Sequence, residues 1–76
     1  MKRKEIKSEV SGKVWKIEAT VGDAIEEDAT ILIMESMKME IPISSTEAGR
    51  LLEILVKEDE SVTEGQAIAV IDMDDV

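Results

Sequence analysis

The chain carries its own repeat. The stretch "SGKVWKIEATVGDAIEEDATILIME", Ser11 to Glu35, lies over "AGRLLEILVKEDESVTEGQAIAVID", Ala48 to Asp72, at an offset of 37 residues. The overlay pairs Gly12 with Gly49, Val14 with Leu51, Trp15 with Leu52, Ile17 with Ile54, Ile25 with Val62, Ile31 with Ile68 and Ile33 with Val70; it also brings Ile6 onto Ile43. Self-similarity of this kind is a fold-level constraint, because a unit too short to bury its own apolar face must bury it against its copy. With 76 residues in all, the chain is near the lower size at which one core outweighs chain entropy, so residues 1–76 are read as one domain.

Within each unit the apolar period is two, as in Trp15, Ile17, Ala19 against Lys16, Glu18, Thr20. That is strand periodicity. The runs "ILIM" and "AIAVI" lack clean alternation, yet they are short, β-branched and bounded by polar turns, so they too read as strands. The segment "GDAIEEDA" is too short to hold an isolated helix and reads as turn and connection. Gly22 overlays Asp59 while Asp28 overlays Gly65, which points to shared turns of positive φ filled in two ways. The simplest closed arrangement is a pair of antiparallel sheets related by a pseudo-twofold axis, which also protects the sheet edges.

Charge narrows the partners. Nine Lys and Arg against 18 Asp and Glu leave a net of −9, a surface that repels phosphate backbones and anionic headgroups. Nucleic acid and membrane surfaces are therefore not expected as partners. No run approaches the length of a membrane span, and no apolar stretch of signal-peptide length follows the basic start "MKRKEIKSEV". With no cysteine, nothing argues for an oxidising compartment, and the cytoplasm is the expected location. Histidine, cysteine and tyrosine are all absent, which removes the usual nucleophiles and near-neutral acids and bases. Autonomous catalysis is not expected.

The stretch "IMESMKMEIP", residues 33–42, stands out against that background. If Met37 and Lys38 form a two-residue hairpin loop, Ser36 faces Met39, Glu35 faces Glu40, Met34 faces Ile41 and Leu32 faces Ile43. Apolar positions then meet apolar ones, which favours this register. Glu35 opposite Glu40 is a like-charge pair, mildly unfavourable by itself. The repeat offset carries Lys38 to position 75, so the lysine turn and the paired ends of the chain are expected at opposite ends of the molecule.

A lysine at a hairpin tip is ordinarily a solubility device. Its neighbours here change that reading. "ESMKME" resembles the attachment motif of the biotinyl/lipoyl carrier domains, whose usual core is Ala-Met-Lys-Met, and the likeness covers residues 6 to 72. The resemblance implies a flattened barrel of two four-stranded sheets with the lysine projecting from a hairpin turn. Short free-standing attachment proteins and the carrier subunits of acyl-CoA carboxylases are the nearest subgroups. The protruding insertion of some acetyl-CoA carboxylase carriers is absent.

The same resemblance makes Lys38 the residue amidated by biotin, with a biotin protein ligase as the modifying partner. Biotin carboxylase and carboxyltransferase components are the partners between which a carboxyl group travels, and the chain itself is a monomeric carrier rather than an enzyme. A free lysine amine is mostly protonated near neutral pH, so the ligase has a proton to remove. Met37 and Met39 read as recognition residues, because flexible thioethers suit surfaces that dock with several partners. Glu35, Ser36 and Glu40 complete the expected recognition set. Ser36 stands in place of the common alanine, and Asp28 and Asp59 stand where many members have glycine.

Lipoate on Lys38 is the alternative within the fold, although lipoyl domains more often show Asp-Lys-Ala. An unmodified acidic interaction module is the alternative outside it. Trp15 is expected to be a packing residue rather than a ligand platform, Met34 to pack in the core, Pro42 to sit at a strand start or edge position, and the tail "DMDDV" to be a solvated acidic end without a calcium loop's glycine and final glutamate.

Overall fold

The computed structural model describes residues 2–73. Its strands are β1 (Arg3–Lys7), β2 (Gly12–Ile17), β3 (Ala24–Ile25), β4 (Thr30–Ser36), β5 (Met39–Ser44), β6 (Gly49–Ile54), β7 (Ser61–Val62) and β8 (Ala67–Asp72), with no helix among the described residues. They form two four-stranded sheets, ordered β1-β8-β6-β3 and β5-β4-β2-β7, and every pairing is antiparallel. The repeat carries β1, β2, β3 and β4 onto β5, β6, β7 and β8. Under that exchange one sheet order becomes the other, so the expected pseudo-twofold all-β architecture is what the chain adopts.

Each sheet takes two strands from each half of the chain, and neither half contains a complete sheet. Turns reinforce the exchange: Gly22 N donates to Leu51 O at 2.8 Å and Leu51 N to Asp23 O at 2.9 Å. The symmetric pair is Asp59 N to Val14 O at 2.7 Å and Val14 N to Glu60 O at 2.9 Å. The segment "GDAIEEDA" is non-helical as expected, but Ala24–Ile25 is a short strand that pairs with Arg50 and Gly49. Positive φ occurs at all four exchanged turn positions, 98° and 71° at Gly22 and Asp59, 70° and 88° at Asp28 and Gly65.

Bulges explain the strands that do not alternate. The β4–β5 register passes over Ile31 and the β1–β8 register over Ile68, so that Ile31 with Leu32, and Ile68 with Ala69, are consecutive residues that are all buried. The other pair of bulges corrects an expectation. The β2–β4 register goes from Val14 to Lys16, leaving Trp15 as the extra residue, and its side chain is 46% exposed while Val14 is fully buried. Trp15 is therefore a surface residue, because the bulge resets the phase of the strand. At the equivalent bulge of β6, Leu52 is half-buried.

Met34 is fully buried, as expected, alongside Leu32, Ile43, Leu51 and Ile71. Pro42 lies on β5, an edge strand, where a missing N–H facing outward costs no ladder bond. The acidic tail begins later than expected: Asp72 belongs to β8 and is buried, since it pairs with both Arg3 and Arg50 in the sheet register. Positions 74–76, including the counterpart of Lys38 at 75, lie outside the described residues.

Two symmetric serine turns satisfy the buried polar groups between strands. Ser8 and Ser45 are both buried, and each hydroxyl donates to a carbonyl two residues on, Val10 O at 2.6 Å and Glu47 O at 2.5 Å. Their backbones in turn hold the opposite half, with Gly65 N donating to Ser8 O and Asp28 N to Ser45 O, both at 2.8 Å.

Gly12 and Gly49 solve a packing problem. A Cβ on Gly12 would overlap the Glu35 carbonyl oxygen, and one on Gly49 would lie 2.5 Å from the Asp72 carbonyl oxygen. Backbone must move to admit either. We expect Gly12→Ala and Gly49→Ala each to lower unfolding free energy by about 1–3 kcal/mol. Gly65, at φ 88°, meets no neighbouring atom, so Gly65→Asp, the residue found at its symmetric position, carries only the left-handed backbone cost of about 1 kcal/mol. Urea denaturation followed by circular dichroism checks the ranking, and equal losses at positions 12 and 65 would contradict it.

Candidate functional site

The β4–β5 hairpin presents the site. Its register is Leu32↔Ile43, Ile33↔Pro42, Met34↔Ile41, Glu35↔Glu40 and Ser36↔Met39, matching the pairing expected from the apolar pattern. Met37 and Lys38 alone make the turn, at φ 53° and 65°. Two consecutive left-handed residues are what a two-residue loop of the I′ type requires, a geometry usually given to Asn-Gly. Without glycine it costs roughly 1–2 kcal/mol per residue. Burying Leu32, Met34 and Ile43 beneath the turn contributes roughly 1.5–3 kcal/mol each, so the strand pairing wins and the strained turn is held.

That geometry aims the side chains outward. Met37 is 92% exposed and Met39 63%, and Lys38 between them is exposed as well. No hydrogen bond or ion pair engages the Lys38 ammonium within the described chain. Glu35 and Glu40 face each other one step below the turn pair and are both exposed, and Glu35 also has Lys13 as its neighbour across β2. The hairpin therefore brings Glu35, Ser36, Met37, Lys38, Met39 and Glu40 together in three successive cross-strand steps.

Ser36 differs from the others in how it is engaged. Its Oγ donates to Ser11 O at 2.8 Å, and Ser11 Oγ in turn accepts from Glu64 N at 2.9 Å. The hydroxyl thereby fastens the hairpin base to the chain entering β2. Gly12, directly after Ser11, lets the Glu35 carbonyl come close. Ser11 and Gly12 are functional neighbours that the motif around Lys38 does not reveal; the matched glycines of the repeat are their only trace in sequence.

The arrangement suits covalent attachment of a carboxylic acid cofactor. An amide bond needs an accessible, unengaged primary amine with room on all sides, and Lys38 supplies it. A cleft of about 460 Å³ lies elsewhere, along the seam between the edge strands β1 and β5, lined by Lys4, Lys7, Pro42 and Ser44 among others, and no residue of the turn borders it. No group of three carboxylates among the described residues is placed to hold a metal ion. The chemistry points out from a protrusion instead of into a pocket.

Comparison with known proteins agrees with this geometry. The family described as biotin-requiring enzyme, the biotin/lipoyl family, matches residues 3–71. The biotin/lipoyl attachment protein of Bacillus subtilis is 40% identical over 60 residues, covering 79% of this chain and 82% of that protein. Urea amidolyase of Saccharomyces cerevisiae is 42% identical over 65 residues, 86% of this chain but only 4% of that enzyme. Among solved structures, the urea carboxylase of Kluyveromyces lactis superimposes with a TM-score of 0.90 at 35% identity, covering 95% of this chain and 6% of that one. With the fold, the exposed lysine turn and a match running through nearly the whole chain, this protein belongs to the biotin/lipoyl carrier family.

Proposed function

We propose that the chain is a biotin carboxyl carrier, with biotin joined through an amide to Lys38 Nζ. The observation that carries the reading is the turn itself: one unengaged amine, held out between two exposed methionines at the apex of a rigid hairpin. When bound, biotin accepts a carboxyl group at one partner's site and gives it up at another. The protein's own part is mechanical. The αL turn directs the Lys38 stem away from the sheets, and the Ser36–Ser11 bond keeps the hairpin base fixed while the tip enters a partner.

Tethering makes the transfer effectively intramolecular, because a group on a lysine arm is offered at high local concentration to any site the domain docks beside. The partners that fit are a biotin protein ligase that loads Lys38, a biotin carboxylase and a carboxyltransferase. The likeness to a solved urea carboxylase supports the carboxyl-carrying assignment. The Bacillus attachment protein bears both cofactors in its name, which favours lipoate on the same amine as a second reading. A cytoplasmic location fits the loading reaction.

Intact mass spectrometry of the protein from its native cell separates the readings. A biotin increment that disappears in Lys38→Arg is the expected result, with an unchanged fold because the side chain is exposed. A lipoyl increment establishes the second reading, and label persisting on the arginine variant removes both.

Glu35 and Glu40 supply a further check. Two exposed carboxylates face to face destabilise a hairpin by about 0.2–1 kcal/mol, so their retention is explained if the ligase uses them. Glu35→Gln with Glu40→Gln relieves that repulsion but also gives up the attraction between Glu35 and Lys13, so it should leave stability within about 1 kcal/mol of the parent. It should lower the kcat/KM of biotinylation about tenfold or more, the effect of losing one charge-assisted contact. Labelling kinetics equal to the parent protein would show that the carboxylates are not read.

A further inference from the structure

The chain has no cysteine, so methionine is its only oxidisable sulfur, and the structure distributes its methionines unequally. Met34 is fully buried and Met73 half-buried, whereas Met37 and Met39 stand 92% and 63% exposed on either side of Lys38. Susceptibility to peroxide follows exposure, and oxidation turns a flexible apolar thioether into a polar, chiral sulfoxide. We propose that Met37 and Met39 form a reversible oxidation site that governs whether Lys38 is modified. This rests on the reading above, in which a ligase docks on the methionine-flanked turn.

The chemistry is a two-electron oxidation at each sulfur. A sulfur lone pair attacks one peroxide oxygen, the O–O bond breaks, an S–O bond forms, and the other peroxide oxygen leaves as water after proton transfer. Methionine sulfoxide reductases reverse it, with a dithiol giving up two electrons and two protons to release the oxygen as water and become a disulfide. The fold is untouched by the change because neither tip side chain belongs to the core, while the apolar ridge over which a partner closes becomes polar on both sides of the amine. Met34, three residues from Met37 on the same hairpin, is shielded by the core and serves as an internal reference.

The test exposes the unmodified protein to dilute hydrogen peroxide and removes the oxidant with catalase. The product is mapped by peptide mass spectrometry, then presented to a biotin protein ligase with biotin and ATP. Met37 should gain oxygen faster than Met39, and Met34 only after unfolding. Biotinylation kcat/KM should fall about tenfold or more, equivalent to one lost docking contact. Treatment with sulfoxide reductase should restore it, and circular dichroism should stay unchanged throughout. The double variant Met37→Leu with Met39→Leu, whatever its own rate, should show the same rate before and after peroxide. Full biotinylation of protein carrying sulfoxide at both positions would overturn the proposal while leaving the carrier reading intact. No biotinylation of the unoxidised protein would instead overturn the carrier reading on which it rests.

Discussion

Reciprocal burial of two half-chains, neither able to complete a sheet by itself, is the constraint on which everything else in this molecule depends. Each sheet takes its β-strands from both halves, and each half's turns bond to a central strand of the other, as Gly22 and Asp23 do with Leu51 and Asp59 and Glu60 do with Val14. An isolated half would leave Leu32, Met34 and Val14, or Leu51, Ile68 and Ile71, facing water. Folding is then expected to be a single cooperative event, because the apolar surface of one unit is covered only when the other arrives. The long-range pairings, such as Gly65 with Ser8, come at a cost in loop-closure entropy that grows only slowly with loop length.

The hairpin inherits its rigidity from that mutual burial. A turn with two non-glycine residues at positive φ is unfavourable in an isolated peptide, and a two-stranded ribbon is marginal in water. Here β4 is a central strand held by β2 on one side and β5 on the other, and Ser36 is tied to Ser11. Strain at a functional position persists only where the surroundings over-determine it. The exposed lysine is thus a consequence of the buried leucine, methionine and isoleucine below it, and the chemistry at the tip is inseparable from the packing beneath.

How much of this was legible in the sequence depended on which physical effect a residue expresses. The repeat announced the pseudo-twofold, and the exchange of glycine with aspartate at 22/59 and 28/65 announced four left-handed turns, because those positions tolerate few residues. The β4–β5 register followed from matching apolar partners, since a slip of one residue would turn Met34 and Ile43 to solvent. Trp15 was misread because a bulge shifts the alternation by one residue, and a bulge has no signature in a short apolar strand. Asp72 was assigned to the solvent on charge alone, whereas the sheet register brings it alongside two arginines. The roles of Gly12 and Ser11 were hidden for a different reason: they concern the distance between backbones remote in sequence, which no local pattern encodes.

Duplication raises the question of what sets the Lys38 turn apart from its symmetric counterpart. The pseudo-twofold maps β4–β5 onto β8–β1, and those strands pair just as closely, with Met73 N donating to Lys2 O at 2.7 Å. What differs is covalent continuity. β4 passes to β5 through two residues, so the chain itself imposes positive φ on Met37 and Lys38 and fixes the direction in which the lysine leaves. Among the described residues β8 and β1 are not consecutive strands, so their approach rests on sheet pairing alone. Under the proposed carrier role, a group presented to one partner and then another needs a stem whose base does not wander, since misplacement of the reacting atoms by about an ångström costs rate on the order of a hundredfold. The continuous hairpin meets that requirement, which is a physical reason for the turn to be made of two residues held at positive φ.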